Sequence, residues 1–125
     1  MKYFMAGLIM LASVQAVADL TPEQYPSCDL QAQRNAKGET GGNIVDAREA
    51  HISVRVNVLQ ADISTARKAR RLTQEQADRL WQQAGQVRSD ATHFVKLQGF
   101  LSAAERASYD RELDEQAGQL CHRVQ

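Results

Sequence analysis

Apolar residues recur at steps of three and four over residues 73–95. They are Ala77, Leu80, Trp81, Ala84, Val87, Ala91, Phe94 and Val95, with Gln82, Gln83, Gln86, Arg88, Ser89 and Asp90 mostly opposite. This spacing predicts an amphipathic helix with one buried face. Its start is marked by Thr73, which can cap Gln76 N–H while the Gln76 side chain caps Thr73. Leu72 precedes the cap and Ala77 follows it, a hydrophobic staple. Gly85 interrupts the helix and suggests close approach of a neighbouring backbone. A second start of the same kind follows 29 residues on: Leu101-Ser102-Ala103-Ala104-Glu105 repeats Leu72-Thr73-Gln74-Glu75-Gln76. The repeat reads either as two independent capping boxes or as a degenerate helix–loop–helix unit. The second start opens a helix over residues 102–124 with the stripe Tyr109, Leu113, Ala117, Leu120 and Val124. Arg106–Asp110 and Arg111–Glu115 are spaced as i,i+4 ion pairs within it. Gly99 between the two helices suits a positive-φ turn.

Residues 43–71 carry two superposed patterns. Ile44 or Val45, Ile52, Val56, Leu59, Ile63 and Ala66 step helically, whereas Ile52, Val54, Val56 and Val58 alternate with polar residues as a strand does. Three features favour helix: a length beyond 20 residues, no glycine or proline inside it, and cations from Arg67 to Arg71 at its end. Asn43 or Asp46 can cap its start. The surplus valines, Val54 and Val58, then form either a widened buried stripe or an exposed patch for a partner. Upstream, Pro22, Pro26 and the glycine-rich run at residues 35–42 read as an irregular arm with short turns at most.

The first 18 residues are of another kind. Lys2, the apolar run 4–14 and Ala16-Val17-Ala18 are the three parts of a cleaved secretory signal. Removing them leaves 107 of the 125 residues, one small domain, and 14 basic against 15 acidic groups. That balance argues against a nucleic-acid partner, and no later stretch is apolar enough to span a membrane. The style of the signal suggests a bacterial periplasm, an oxidising address. The two cysteines, Cys28 and Cys121, are therefore expected to form one disulfide. Taken together, the chain is expected to be all-α: a signal at 1–18, an irregular arm at 19–42, and a helical domain at 43–125. The domain would be a three-helix antiparallel bundle (43–71, 73–95, 102–124) with the arm tied to the last helix by Cys28–Cys121. Leu80, Trp81, Phe94, Tyr109, Leu113 and Leu120 are the expected core.

Catalytic chemistry finds no foothold. No serine lies in a nucleophile elbow, no glycine-rich loop follows a strand, and the carboxylates Asp110, Glu112, Asp114 and Glu115 read as solvated helix surface. Gly99 and Glu105 have the spacing of half an EF-hand loop, but Phe94, Lys96 and Gln98 occupy its ligand positions. His51, His93 and His122 are the histidines a metal could use, Asp90–His93 at i,i+3 being the best-spaced pair. A disulfide removes Cys121 as a thiolate ligand beside His122. No cofactor is expected. The basic residues Arg67, Arg70 and Arg71 either compensate a helix end or touch an anionic surface.

Leu72-Thr73-Gln74-Glu75-Gln76 and Leu20-Thr21-Pro22-Glu23-Gln24 resemble the LTxxQ pentapeptide of Spy/CpxP-type periplasmic stress proteins. That resemblance implies an all-helical, dimeric cradle for unfolded clients. The chain departs from it in having a cysteine pair and few methionines. The residues alone favour a non-catalytic protein-binding factor, whether inhibitor, immunity-type or accessory protein. Val54, Val58, Arg67, Arg70 and Arg71 are its expected contacts, and a homodimer is compatible. A stress chaperone or a histidine-based metal handler are the other readings.

Overall fold

The computed structural model describes residues 24–125; the expected secretory signal at 1–18 and most of the first LTxxQ-like pentapeptide lie outside them. The arm contributes a 3-10 turn at Pro26–Cys28 and one short helix, α1 (Leu30–Arg34). Three long helices follow: α2 (Ala47–Lys68), α3 (Gln74–Gln98) and α4 (Ala103–Val124). They form a helical bundle, and among the described residues no strand forms. None of the described helices is long and apolar enough to cross a membrane.

Local chemistry sets each boundary. Asp46 accepts from Glu49 N–H at 2.9 Å, so α2 starts four residues later than residue 43. Gly41 and Ile44 exchange backbone bonds before it, and Val45 stays 76 % exposed rather than joining the apolar stripe. Both capping boxes form. Thr73 N–H donates to Gln76 Oε1 (3.0 Å) and Gln76 N–H to Thr73 Oγ1 (3.1 Å). Ser102 and Glu105 do the same at 2.8 and 3.1 Å. The leucine before each box, Leu72 and Leu101, is buried in the core. α3 runs on to Gln98 and ends at Gly99, whose φ of 89° is the left-handed geometry glycine adopts without strain.

Helix geometry resolves the mixed pattern of α2. Ile52, Val56, Leu59, Ile63 and Ala66 point into the core, and Val54 and Val58 fall on its flank, half-buried. Leu80, Tyr109, Leu113 and Leu120 are core residues as expected, but Trp81 and Phe94 are 45 % and 40 % exposed. The buried stripe of α3 is Ala77, Leu80, Ala84, Val87 and Ala91. Three of those five are alanine, so α3 and its neighbours approach closely and leave no space for an indole. Trp81, one residue and about 100° beyond Leu80, is turned out. Phe94 lies in the last turns of α3, at the bundle's end. Beside Gly85 stands the Gln60 amide rather than a backbone, and that amide donates to Trp81 O at 3.2 Å. Arg106 and Asp110 pair at 3.5 Å, whereas Arg111 has no acidic partner among the described residues.

The arm is strapped over α2 and α4. Cys28 and Cys121 are disulfide-bonded across 93 residues, with Cα atoms 5.8 Å apart. Ser27 N–H donates to buried Asp62 at 2.8 Å, and Tyr25 joins the core. Further along, Gly38 lies directly on α2: a Cβ there would sit 1.9 Å from the Ala50 carbonyl oxygen. Gly38→Ala must therefore lift residues 36–40 off the helix, at about 1–3 kcal/mol, the usual cost of overpacking. Thermal melts would measure it, and an unchanged midpoint would show that the loop yields freely.

Candidate binding site at the arginine cleft

His51 and Arg55 lie one turn apart on α2; Asp110 and Asp114 lie one turn apart on α4. When the two helices pack, the imidazole and the guanidinium meet the carboxylates in register. Arg55, with a side chain 2 % exposed, reaches Asp110 Oδ1 and Asp114 Oδ1, each at 2.8 Å, and donates to the Asp110 carbonyl at 3.2 Å. His51 places Nε2 2.7 Å from Asp110 Oδ1 and Nδ1 2.6 Å from the Ala36 carbonyl. A carbonyl oxygen only accepts, so Nδ1 donates to the arm. Arg34, from the end of α1, closes the group from outside on Asp114 Oδ2. Of the four carboxylates expected on a solvated surface, Glu112 and Glu115 are exposed, whereas Asp110 and Asp114 are the anionic half of an ion network joining α1, α2, α4 and the arm.

Burial alone would raise the Asp110 carboxyl. Hydrogen bonds from His51 and Arg55, and their charges, outweigh it and hold the group below the usual carboxylate range. A carboxyl depressed on folding contributes stability that is complete above its unfolded value, near 3.9, and is lost as pH falls through the lower folded value. Asp110→Asn should therefore lower stability at neutral pH and flatten its decline between about pH 5 and pH 2. Urea midpoints measured across that range check it; parallel curves for both proteins would show that Asp110 has no part in the acid response.

Outside this network the surface opens into a cleft of about 560 Å³, lined by Arg34, Arg48, Arg106, Arg111 and Asp110 with Ala103 and Ala107 as its apolar wall. Arg48 donates to the Leu101 carbonyl at 3.0 Å, and Arg106 to the Arg34 carbonyl at 2.9 Å. These bonds hold two guanidiniums by backbone acceptors, which cost them no charge. Four cations line the cleft against one carboxylate. Counting Arg55 and Asp114 behind it, five guanidiniums face two carboxylates, a surplus of three positive charges.

The same end of the bundle carries exposed apolar residues. Asp46 at the start of α2 contacts Leu101 N–H (3.4 Å), which brings the α2 start against the α3–α4 turn. Around that junction Val45, Leu97, Phe100 and Phe94 are 76, 69, 50 and 40 % exposed. Phe94 and Leu97 are one turn apart on α3, and Phe100 follows Gly99 in the turn.

The residues singled out from sequence do not form one site. Val54 and Val58 are half-buried on mid-α2, while Arg67, Arg70 and Arg71 are exposed at its far end, toward the α2–α3 turn. Thirteen residues of helix from Val54 to Arg67 span about 20 Å. Arg67 instead borders a smaller groove of about 280 Å³ beside Trp81. His51 spends both ring nitrogens within the network, and His93 and His122 are exposed. Among the described residues no three His, Cys, Asp or Glu side chains converge as a metal site. Compared with protein families, curated proteins and solved structures, the chain matches none.

Proposed function

We propose that this chain is a non-catalytic, exported protein-binding factor of the inhibitor, immunity or accessory type, and that its partner meets the α3–α4 end of the bundle. The observation that carries this reading is the exposure there of Val45, Phe94, Leu97 and Phe100. A small domain that leaves two phenylalanines half in water, beside a charged rim, has the anatomy of an interface core. Val54 and Val58, half-buried in the bundle wall, offer a partner much less. Export is supported by the secretory pattern of residues 1–18 and by the disulfide, which persists in oxidising compartments.

The test is affinity capture from periplasmic extract with the wild type and with Leu97→Asp/Phe100→Asp. A protein retained by the first and released by the second supports the reading, since aromatic anchors at interface centres are worth about 2 kcal/mol or more. An identical capture profile, or a loss caused instead by Val54→Ala/Val58→Ala, rejects this face. Self-association that the aspartates abolish, seen by ultracentrifugation, would make the partner a second copy. A client-holding role of the kind the LTxxQ resemblance implies would use the same apolar residues. It is told apart by suppression of aggregation of an unfolded client, which a dedicated partner-binder does not show.

A further inference from the structure

We propose that the arginine cleft is a binding site for a small multivalent anion, one presenting two or more carboxylate or phosphate groups. The inference is independent of the partner at the apolar end. Its first support is charge: the residues that line the cleft, with Arg55 and Asp114 behind them, carry three more positive than negative charges, an excess that favours an anion of more than one charge. The second is donor supply. A guanidinium has five N–H donors. Arg48 directs one of its nitrogens to Leu101 O, and Arg111 makes no hydrogen bond or ion pair among the described residues. Both residues line the cleft, and a guanidinium's remaining donors form the planar forks that suit carboxylate and phosphate oxygens.

The third support is pre-organisation. Arg34 is held by Asp114, Arg106 by the Arg34 carbonyl and Asp110, and Arg48 by the α3–α4 turn, so these three of the four lining arginines have less side-chain freedom to lose on binding. Asp110 does not cancel the site. Its Oδ1 faces inward to His51 and Arg55, and its Oδ2 faces Arg106. A volume of about 560 Å³ accommodates a group of several heavy atoms with its first waters. An open cleft of this kind implies rapid exchange and affinity that falls as salt rises.

The experiment is calorimetric titration of the full chain with pyrophosphate, with citrate, and with sodium chloride at matched ionic strength. Saturable one-to-one binding of pyrophosphate or citrate, with none for chloride, is the expected result; the tighter of the two names the phosphate or the carboxylate chemistry. Arg48→Gln/Arg111→Gln changes two exposed cleft residues that take no part in the buried network. It should weaken binding about tenfold or more while the helical circular dichroism is kept. If the double variant loses helicity, Arg111→Gln alone carries the comparison. Binding that both variants leave intact, heats that chloride reproduces, or no saturation with either anion overturns the proposal.

Discussion

Arg55→Met is expected to lower stability by about 3 kcal/mol, the lower end of the range for breaking a buried ion pair by removing one partner. The lower end applies because neither carboxylate is orphaned. Asp110 keeps His51 and Arg106, and Asp114 keeps Arg34. What is lost is the one cation that bridges both acids from inside the bundle, 2 % exposed between α2 and α4. Adding Asp110→Asn to Arg55→Met should cost less than the sum of the two changes, since it removes a charge the first change left under-compensated. Urea titrations of the three variants measure this coupling. A cost under about 1 kcal/mol for Arg55→Met would mean that water reaches the network and screens it like a surface pair.

Breaking the disulfide is the second large effect. In the chain-entropy account a bridge across 93 residues is worth about 4–5 kcal/mol, and loss of a native bridge from a small secreted domain commonly costs about 2–5. Cys28→Ser/Cys121→Ser should therefore shift the urea midpoint strongly and loosen the arm, which is then held by buried Tyr25 and by the Ser27–Asp62, Arg34–Asp114, Ala36–His51 and Arg34–Arg106 bonds. Proteolysis should then begin within residues 29–45 while the three long helices stay protected. Equal midpoints for oxidised and variant protein would show that buried Tyr25 and the polar ties hold the arm without the bridge.

The bundle was legible because its signals are local. Two capping boxes, a positive-φ glycine and the 3.6-residue stripes depend on neighbours a few residues away; the boxes, the glycine, the stripe of α4 and the centre of the stripe of α3 stand where the spacing put them. The disulfide was legible by count. Trp81 and Phe94 were misplaced because hydrophobicity marks a face but not its width. Alanines at 77, 84 and 91 bring α3 close to its neighbours, and the larger side chains at the margin are left outside. The cleft and its ion network were not legible, although a trace was present: a histidine and an arginine at 51 and 55 and an acid pair at 110 and 114, each at i,i+4. Such pairs are common on solvated helices, and no single-helix pattern tells that two of them will face each other across 55 residues of chain.

The crosslink also dictates an order of events during synthesis. Cys28 emerges long before Cys121, so the arm must wait, with an unpaired thiol, for nearly the whole of α4 to be made. With two cysteines in the sequence there is no wrong intramolecular pairing to correct, and a disulfide isomerase has nothing to reshuffle within one molecule. The competing products are mixed disulfides with foreign thiols and covalent dimers of the nascent chain. Yield of the correct protein should depend on the supply of oxidant and on chain concentration, not on isomerase activity.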